Sequence, residues 1–255
     1  PRRDSGPGAS PCGSMPVIFT LPFEKGIYCI LCKSMNDLSQ NNFILLGPPG
    51  SGKSTQAELL KKALGLVHID IGSELRAVAE EDTPLGREIN DTIHLRHSLT
   101  SDAIMKAVFE KALRRVPAAQ GILLDGAPRR ASQIDEVTAG LQSAGRTISQ
   151  VIFIDLLEKE SVNRISKRYL CFGCHRAYIF GKDISDPDTA CGVRGGKIGK
   201  RKDDTSEGVR ARYQIFHSET LPVIEYFAKN NLLLTVDGNQ PAEKIFEDIR
   251  AGLDA

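Results

Sequence analysis

Short, mostly apolar runs alternate along the chain with longer segments in which apolar residues recur every three or four positions. The runs are NFILL at 42–46, LVHID at 66–70, GILLD at 121–125, QVIFID at 150–155 and LLLTV at 232–236. A strand covered on both faces needs apolar side chains at successive positions rather than at every second one. The intervening segments, such as KSTQAELLKKAL at 53–64, carry the helical period. Strands alternating with amphipathic helices predict an α/β fold: a doubly wound parallel sheet of about five strands between helical layers. No internal repeat is visible.

Two regions break the alternation. Residues 169–204 hold three cysteines, many glycines and a basic run, with helical patterns on both sides. They are expected to fold as a small separate insertion, a candidate lid. Residues 1–41 begin PRRDSGPGASPCGS and continue in apolar patches broken by Pro22 and Gly26. They are expected to be a disordered extension without a catalytic part; Asp4 and Glu24 weaken the alternative of a targeting peptide. The core is expected over 42–255.

Composition narrows the class. A hydrophobic content of 41% suffices for a real core, and a formal net charge of +1 gives no support for a nucleic-acid partner. The apolar runs are far too short to span a membrane. Six cysteines with no secretory leader in view predict reduced thiols and a cytoplasmic protein.

The first strand runs into Gly47-Pro48-Pro49-Gly50-Ser51-Gly52-Lys53-Ser54, which fits the phosphate-loop pattern G-x-x-x-x-G-K-[ST] between a strand and a helix. Glycines let backbone N–H groups turn around phosphates, and a helix N-terminus favours their charge. Lys53 is expected to reach the β- and γ-phosphates, and Ser54 or Thr55 to sit near Mg²⁺. Asp125 ends a strand at the edge where ligands bind in such sheets. It can hold Mg²⁺ through water, or it can simply cap the next helix.

Such a loop gives a nucleotide but no reaction. Phosphoryl transfer needs positive charge converging on the transferred group. Arg76, Arg129, Arg164, Arg168, Arg201 and Arg212 are spaced around the loop and the insertion as that would require; any one alone would read as a surface charge.

With these residues the chain resembles the adenylate kinase family of nucleoside monophosphate kinases, from about Phe43 to the C-terminus. GPPGSGKSTQ resembles the family's phosphate loop, HIDIGSELR the opening of its monophosphate-binding insertion and LDGAPRRASQ its Asp-Gly-x-Pro-Arg signature with a later Gln. NRISKR and RKDDTSEGVRAR resemble the lid hinges. The resemblance implies Mg²⁺-dependent transfer from ATP to AMP, giving two ADP, by a monomer with a monophosphate-binding insertion at 71–100 and a lid at 169–204.

It also implies roles. Gly50, Ser51, Gly52, Lys53, Ser54 and Thr55 would hold the ATP phosphates. Ala177 and Tyr178 would lie over ATP, and Gln240 near its adenine. Ile71, Arg76, His97, Ser98, Leu99, Gly126, Arg129 and Gln133 would hold AMP, Arg129 at its phosphate and Gln133 at its base. Arg168 on the ATP side, and Arg201 and Arg212 on the AMP side, would close on the transferring group with Arg164 beside them.

Three positions depart from the family pattern. Ile71 stands where the family usually has Thr in a Thr-Gly-Asp run, Ser73 replaces the acid, and Ala127 replaces an aromatic before Pro-Arg. They keep a kinase for UMP, CMP or another monophosphate open. Readings of other classes are a nucleotide-binding regulatory protein that no longer catalyses and an RNA-binding module with a phosphate loop. Cys171, Cys174 and Cys191 resemble the zinc-type lid of part of the family. Arg194 stands at the fourth ligand position, where a cation cannot bind Zn²⁺. Either His175, Asp186 or Asp188 supplies that ligand, or packing and hydrogen bonds hold the lid.

Overall fold

The computed structural model describes residues 38–95, 98–173, 177–181, 183–186, 189–192, 195–201 and 204–254. Expectations for 1–37, His97, Cys174, His175, Asp188 and Arg194 lie outside the described residues.

Strand β1 (Asn42–Leu46) leads through the glycine loop into α1 (Lys53–Leu64). Then come β2 (Val67–Asp70), α2 (Ile71–Ala79), α3 (Pro84–Asn90), a five-residue π-helical turn (Asp91–Leu95), α4 (Asp102–Leu113), β3 (Ile122–Asp125), α5 (Ser132–Ser143), β4 (Gln150–Asp155) and α6 (Glu158–Ser166). Three short strands follow: β5 (Arg168–Cys171), β6 (Ala177–Ile179) and β7 (Ile198–Gly199). The chain closes with α7 (Ser206–Ile215), a second π turn (Phe216–Thr220), α8 (Leu221–Lys229), β8 (Leu233–Asp237) and α9 (Ala242–Leu253).

Five strands form one sheet in the order β2-β3-β1-β4-β8, every pair parallel. In the three inner strands side chains alternate between two covered faces, which is why β1, β3 and β4 read as continuously apolar. Phe43 and Leu45 pack with Leu60, Leu64, Ile245 and Ile249, beneath α1 and α9. Ile44 and Leu46 pack with Phe109, Val137, Leu141 and Phe227, beneath α4, α5 and α8. Strand β1 has β3 on one side and β4 on the other, so the crossovers diverge there and leave a crevice at the carboxyl edge.

One boundary differs from expectation. Residues 38–41 belong to the core rather than the extension. Leu38 is buried against the face covered by α1 and α9, and the carbonyls of Ser39 and Asn41 accept from the amides of Gly121 and Ile122.

Between α6 and α7 the expected insertion is a three-stranded antiparallel sheet, β6-β5-β7. Its core is small: Cys171, Tyr178, Ile184, Cys191 and Ile198, with Tyr169 against them. Between β2 and α4, the segment expected to be the other insertion is helical. Thr83 caps α3 through Gly86 N, and Pro84 fits the first turn, where no amide partner is needed.

Candidate functional site

The glycine loop sits at the crevice. Gly50 and Gly52 have φ of 77° and 95°, a region that costs an L side chain on the order of 1–2 kcal/mol. No side chain caps α1 and no acid lies in its first turn, so its leading amides and positive dipole end face the loop. Ser51 is fully buried. Helix α6 lies on the loop: a Cβ at Gly50 would stand 3.1 Å from Ile165 Cγ1 and 3.2 Å from Ser161 O, and Ser161 donates to Pro49 O at 2.5 Å.

Lys53 bends back over this loop and donates to Gly47 O at 2.8 Å and Pro48 O at 2.9 Å. Burial pushes its ammonium down to about 8. Asp125 and Asp70 pull the other way; Arg129 and Arg168 add to the lowering. These charges share one neighbourhood, although they come from β2, β3, the loop after β3 and β5.

Asp125 is buried and pairs in register with Asp70 on β2. Burial raises its carboxyl and Asp70 raises it further, against Lys53, His68 and Arg129. His68 Nε2 lies 3.9 Å from Asp125 Oδ2.

Each of two neighbouring glycines has an arginine over it. A Cβ at Gly72 would stand 3.1 Å from Arg76 Nη1. One at Gly126 would stand 3.3 Å from Arg129 Nη2 and 3.6 Å from Gly72 N. Gly126 has φ of 89°. Arg129 is held through its backbone, its carbonyl accepting from Thr220 Oγ1 at 3.1 Å and its amide donating to Gln133 Oε1 at 2.7 Å.

Gln133, the expected reader of the base, is buried and committed. Its Oε1 also accepts from Arg130 N at 3.3 Å, and its Nε2 donates to Asp102 Oδ1 at 2.7 Å. Arg130 donates to the same Asp102 oxygen at 3.0 Å and to Thr100 O at 2.8 Å, and its Nη2 reaches Leu99 O at 3.4 Å. Leu99 is thereby tied to the loop after β3, whereas Ser98 donates its amide to Thr92 O at 3.1 Å; Ile71 is buried beside Gly126.

At the lid, Arg168 and Arg212 converge on one carboxylate. Asp204 accepts from Arg168 Nη2 at 2.7 Å and Nε at 3.0 Å, and from Arg212 Nη2 at 2.9 Å. Arg164 is turned to Glu160 on its own helix, 3.0 Å away. Arg201 is partly buried just after β7. Gln240, beyond β8, donates to Asp237 O and Asp248.

Asp204, Asp102 and Asp70 were not picked out from the sequence. Asp204 stands in the quoted hinge RKDDTSEGVRAR, where an acid among arginines was the available signal; Asp102 and Asp70 offered none beyond helix capping.

The interior of the insertion bears on two expectations. Tyr178 turns its ring into the lid's own core, its hydroxyl 3.1 Å from Cys191 Sγ. Its neighbours Ala177 and Ile179 lie on the opposite, partly exposed face of β6. The zinc expectation finds no support: among the described residues no three His, Cys, Asp or Glu side chains come together. Cys171 and Cys191 are buried in the apolar cluster of the insertion.

A glycine loop at the divergence of a parallel sheet, with arginines gathered from several elements, defines a P-loop phosphotransferase of the nucleoside monophosphate kinase class. Comparison with known proteins is specific. The family model described as "Adenylate kinase" matches residues 45–232. An adenylate kinase of Thermosipho melanesiensis is 34% identical over 208 residues, 82% of this chain and 97% of the relative. One of Kosmotoga olearia is 35% identical over 213 residues, 84% and 99%, and one of Methanosarcina barkeri 33% over 212 residues, 83% and 98%. The chain belongs to the adenylate kinase family. Among the described residues no helix is long and apolar enough to cross a membrane.

Proposed function

We propose that this protein is an adenylate kinase that transfers the γ-phosphoryl group of ATP to AMP, giving two ADP. The observation that carries the reading is the convergence of Lys53, Asp125, Arg129 and Arg168 in one charged neighbourhood beside the glycine loop. The loop amides, Lys53 and the N-terminus of α1 hold the ATP phosphates. Arg76 and Arg129 take the acceptor phosphate as guanidinium forks. An acceptor phosphate oxygen attacks the γ-phosphorus in line, the bond to the β–γ bridging oxygen breaks, and that oxygen leaves with ADP. Lys53, Arg129, Arg164, Arg168, Arg201 and Arg212 offset the charge spread over the equatorial oxygens, so no covalent intermediate is required.

Asp125 and the exposed hydroxyls of Ser54 and Thr55 are the hard oxygen donors that Mg²⁺ takes. Held there, Mg²⁺ would supply positive charge against the ATP phosphates. The insertion between α6 and α7 acts as the lid. Closing it excludes water as a competing acceptor and brings Arg168 and Arg201 onto the phosphoryl group. The segment 71–100 acts as the monophosphate-binding insertion. ADP formation from Mg-ATP and AMP, lost in Lys53→Ala, tests the reading.

One observation favours a second acceptor besides AMP. Gln133 spends its amide on Asp102 and two backbone amides, and Ile71 offers no hydroxyl, so the pocket presents fewer groups to discriminate among bases.

A further inference from the structure

Asp70 closes β2 and begins α2. Its Oδ1 accepts from Ser73 N at 3.1 Å, capping the helix. Its Oδ2 accepts from the Ser73 hydroxyl at 2.5 Å. That hydroxyl accepts in turn from Arg76 Nη2 at 2.8 Å, and the same Nη2 lies 3.7 Å from Asp70 Oδ2. Gly72 makes room for the arrangement: a Cβ there would crowd Arg76 Nη1 at 3.1 Å and Asp70 Oδ1 at 3.2 Å. A Cβ on Gly126 would lie 3.6 Å from Gly72 N and 3.3 Å from Arg129 Nη2, so the glycines bring the two arms close together.

We propose that Asp70 is the positioning residue of the acceptor-phosphate arm, its carboxylate and Ser73 together holding Arg76 beside Arg129 so that one phosphate meets both guanidiniums. The proposal rests on the reading that Arg76 and Arg129 hold the acceptor. Two cations placed to share one anion repel each other until it arrives, and a long arginine loses rotamer freedom when it binds. A fixed carboxylate beside Arg76 reduces both costs before the acceptor enters. Ser73 alone offers a relay but no charge. The acid of the family's Thr-Gly-Asp run is absent at Ser73, and Asp70 brings a carboxylate to the same arm from the end of the strand.

Burial alone would raise the Asp70 carboxyl, but Arg76 and the two bonds from Ser73 outweigh it and hold it below the usual range. The carboxylate is therefore charged across the neutral range.

Asp70→Asn tests this. An amide caps a helix about as well as a carboxylate, so the substitution removes the charge and keeps the cap. The KM values for AMP and ATP are measured in the full chain by steady-state kinetics, alongside a thermal melt. The KM for AMP is expected to rise about tenfold while that for ATP moves less than about twofold. Ser73→Ala, which removes the relay and leaves both charges, is expected to move KM for AMP the same way by about threefold and serves if Asp70→Asn does not fold. Arg76→Ala is measured in parallel. If it raises KM for AMP while Asp70→Asn and Ser73→Ala do not, the proposal falls and the acceptor reading stands. An unchanged KM for AMP in Arg76→Ala overturns the acceptor reading and the proposal with it. A rise of both substrates' KM together in Asp70→Asn marks general damage and also overturns the proposal.

Discussion

Arg168 donates from Nε and Nη2 to the carboxylate of Asp204, at 3.0 and 2.7 Å. The Asp204 side chain has no exposed surface, and its Oδ1 also accepts from Arg212 on α7. One buried charge thus ties the first strand of the lid to the helix that follows it. Asp204→Ala takes the buried carboxylate away from two partly buried guanidiniums. Breaking such a pair from one side costs about 3–5 kcal/mol; with each arginine about one-fifth exposed, ~2–3 kcal/mol is expected. Thermal melting should show a fall of several degrees. The kcat should drop at least about tenfold, because Arg168 and Arg212 no longer share one fixed geometry. A variant with unchanged kcat would separate this carboxylate from the chemistry.

Lys53 gives a pH dependence. Its ammonium is pushed from 10.5 to about 8 by burial. Between about 8 and 10.5 the unfolded chain binds more protons than the folded one, so stability rises with pH across that window, while below about 8 the full cost is present. Lys53→Met removes the cost. At pH 7 the substituted chain is expected to be more stable by up to ~3 kcal/mol, an advantage that shrinks from pH 8 upward. The same proton is needed for the phosphates of ATP, so kcat/KM for ATP should fall above about pH 8. A profile flat to pH 10 would contradict the lowered ammonium.

Much of this was legible in the chain. All five strands of the main sheet were, because β1, β3 and β4 are buried on both faces and carry unbroken apolar runs. The loop was legible because backbone amides can enclose phosphates only where glycines permit, and the spacing from Gly47 to Ser54 records that. The arginines were legible as a set but not as partners. Nothing local to Arg168 says that its carboxylate lies 36 residues on, at Asp204. The commitment of Gln133 to Asp102, 31 residues away, is equally a product of packing. Leu38 was assigned to the extension because a single apolar residue carries no period.

Arg129 should not be replaceable by Lys. A guanidinium meets a phosphate with two parallel donors and an ammonium with a point charge. Arg129→Lys is expected to lower kcat/KM for AMP at least about thirtyfold while leaving ATP binding within about twofold. Titration with ATP and steady-state kinetics check this. Equal losses for both nucleotides would place Arg129 on the wrong substrate.

Gly126→Ala probes the joint between the arms. The residue would be forced into a positive φ at a cost of about 1 kcal/mol, and its methyl would press on Arg129 Nη2 from 3.3 Å. KM for AMP should rise several-fold with a fall in melting temperature of a few degrees. An unchanged KM for AMP would show that the Arg129 guanidinium has slack at this point.

The most direct measurement is phosphoryl transfer from Mg-ATP to AMP, CMP, UMP, GMP and dAMP, with Lys53→Ala as the blank. ADP should form rapidly with AMP, formation should be abolished in the blank, and any second acceptor should be slower than AMP. ATP binding without turnover on any acceptor would contradict it: the arginines would then serve a closed state that performs no chemistry.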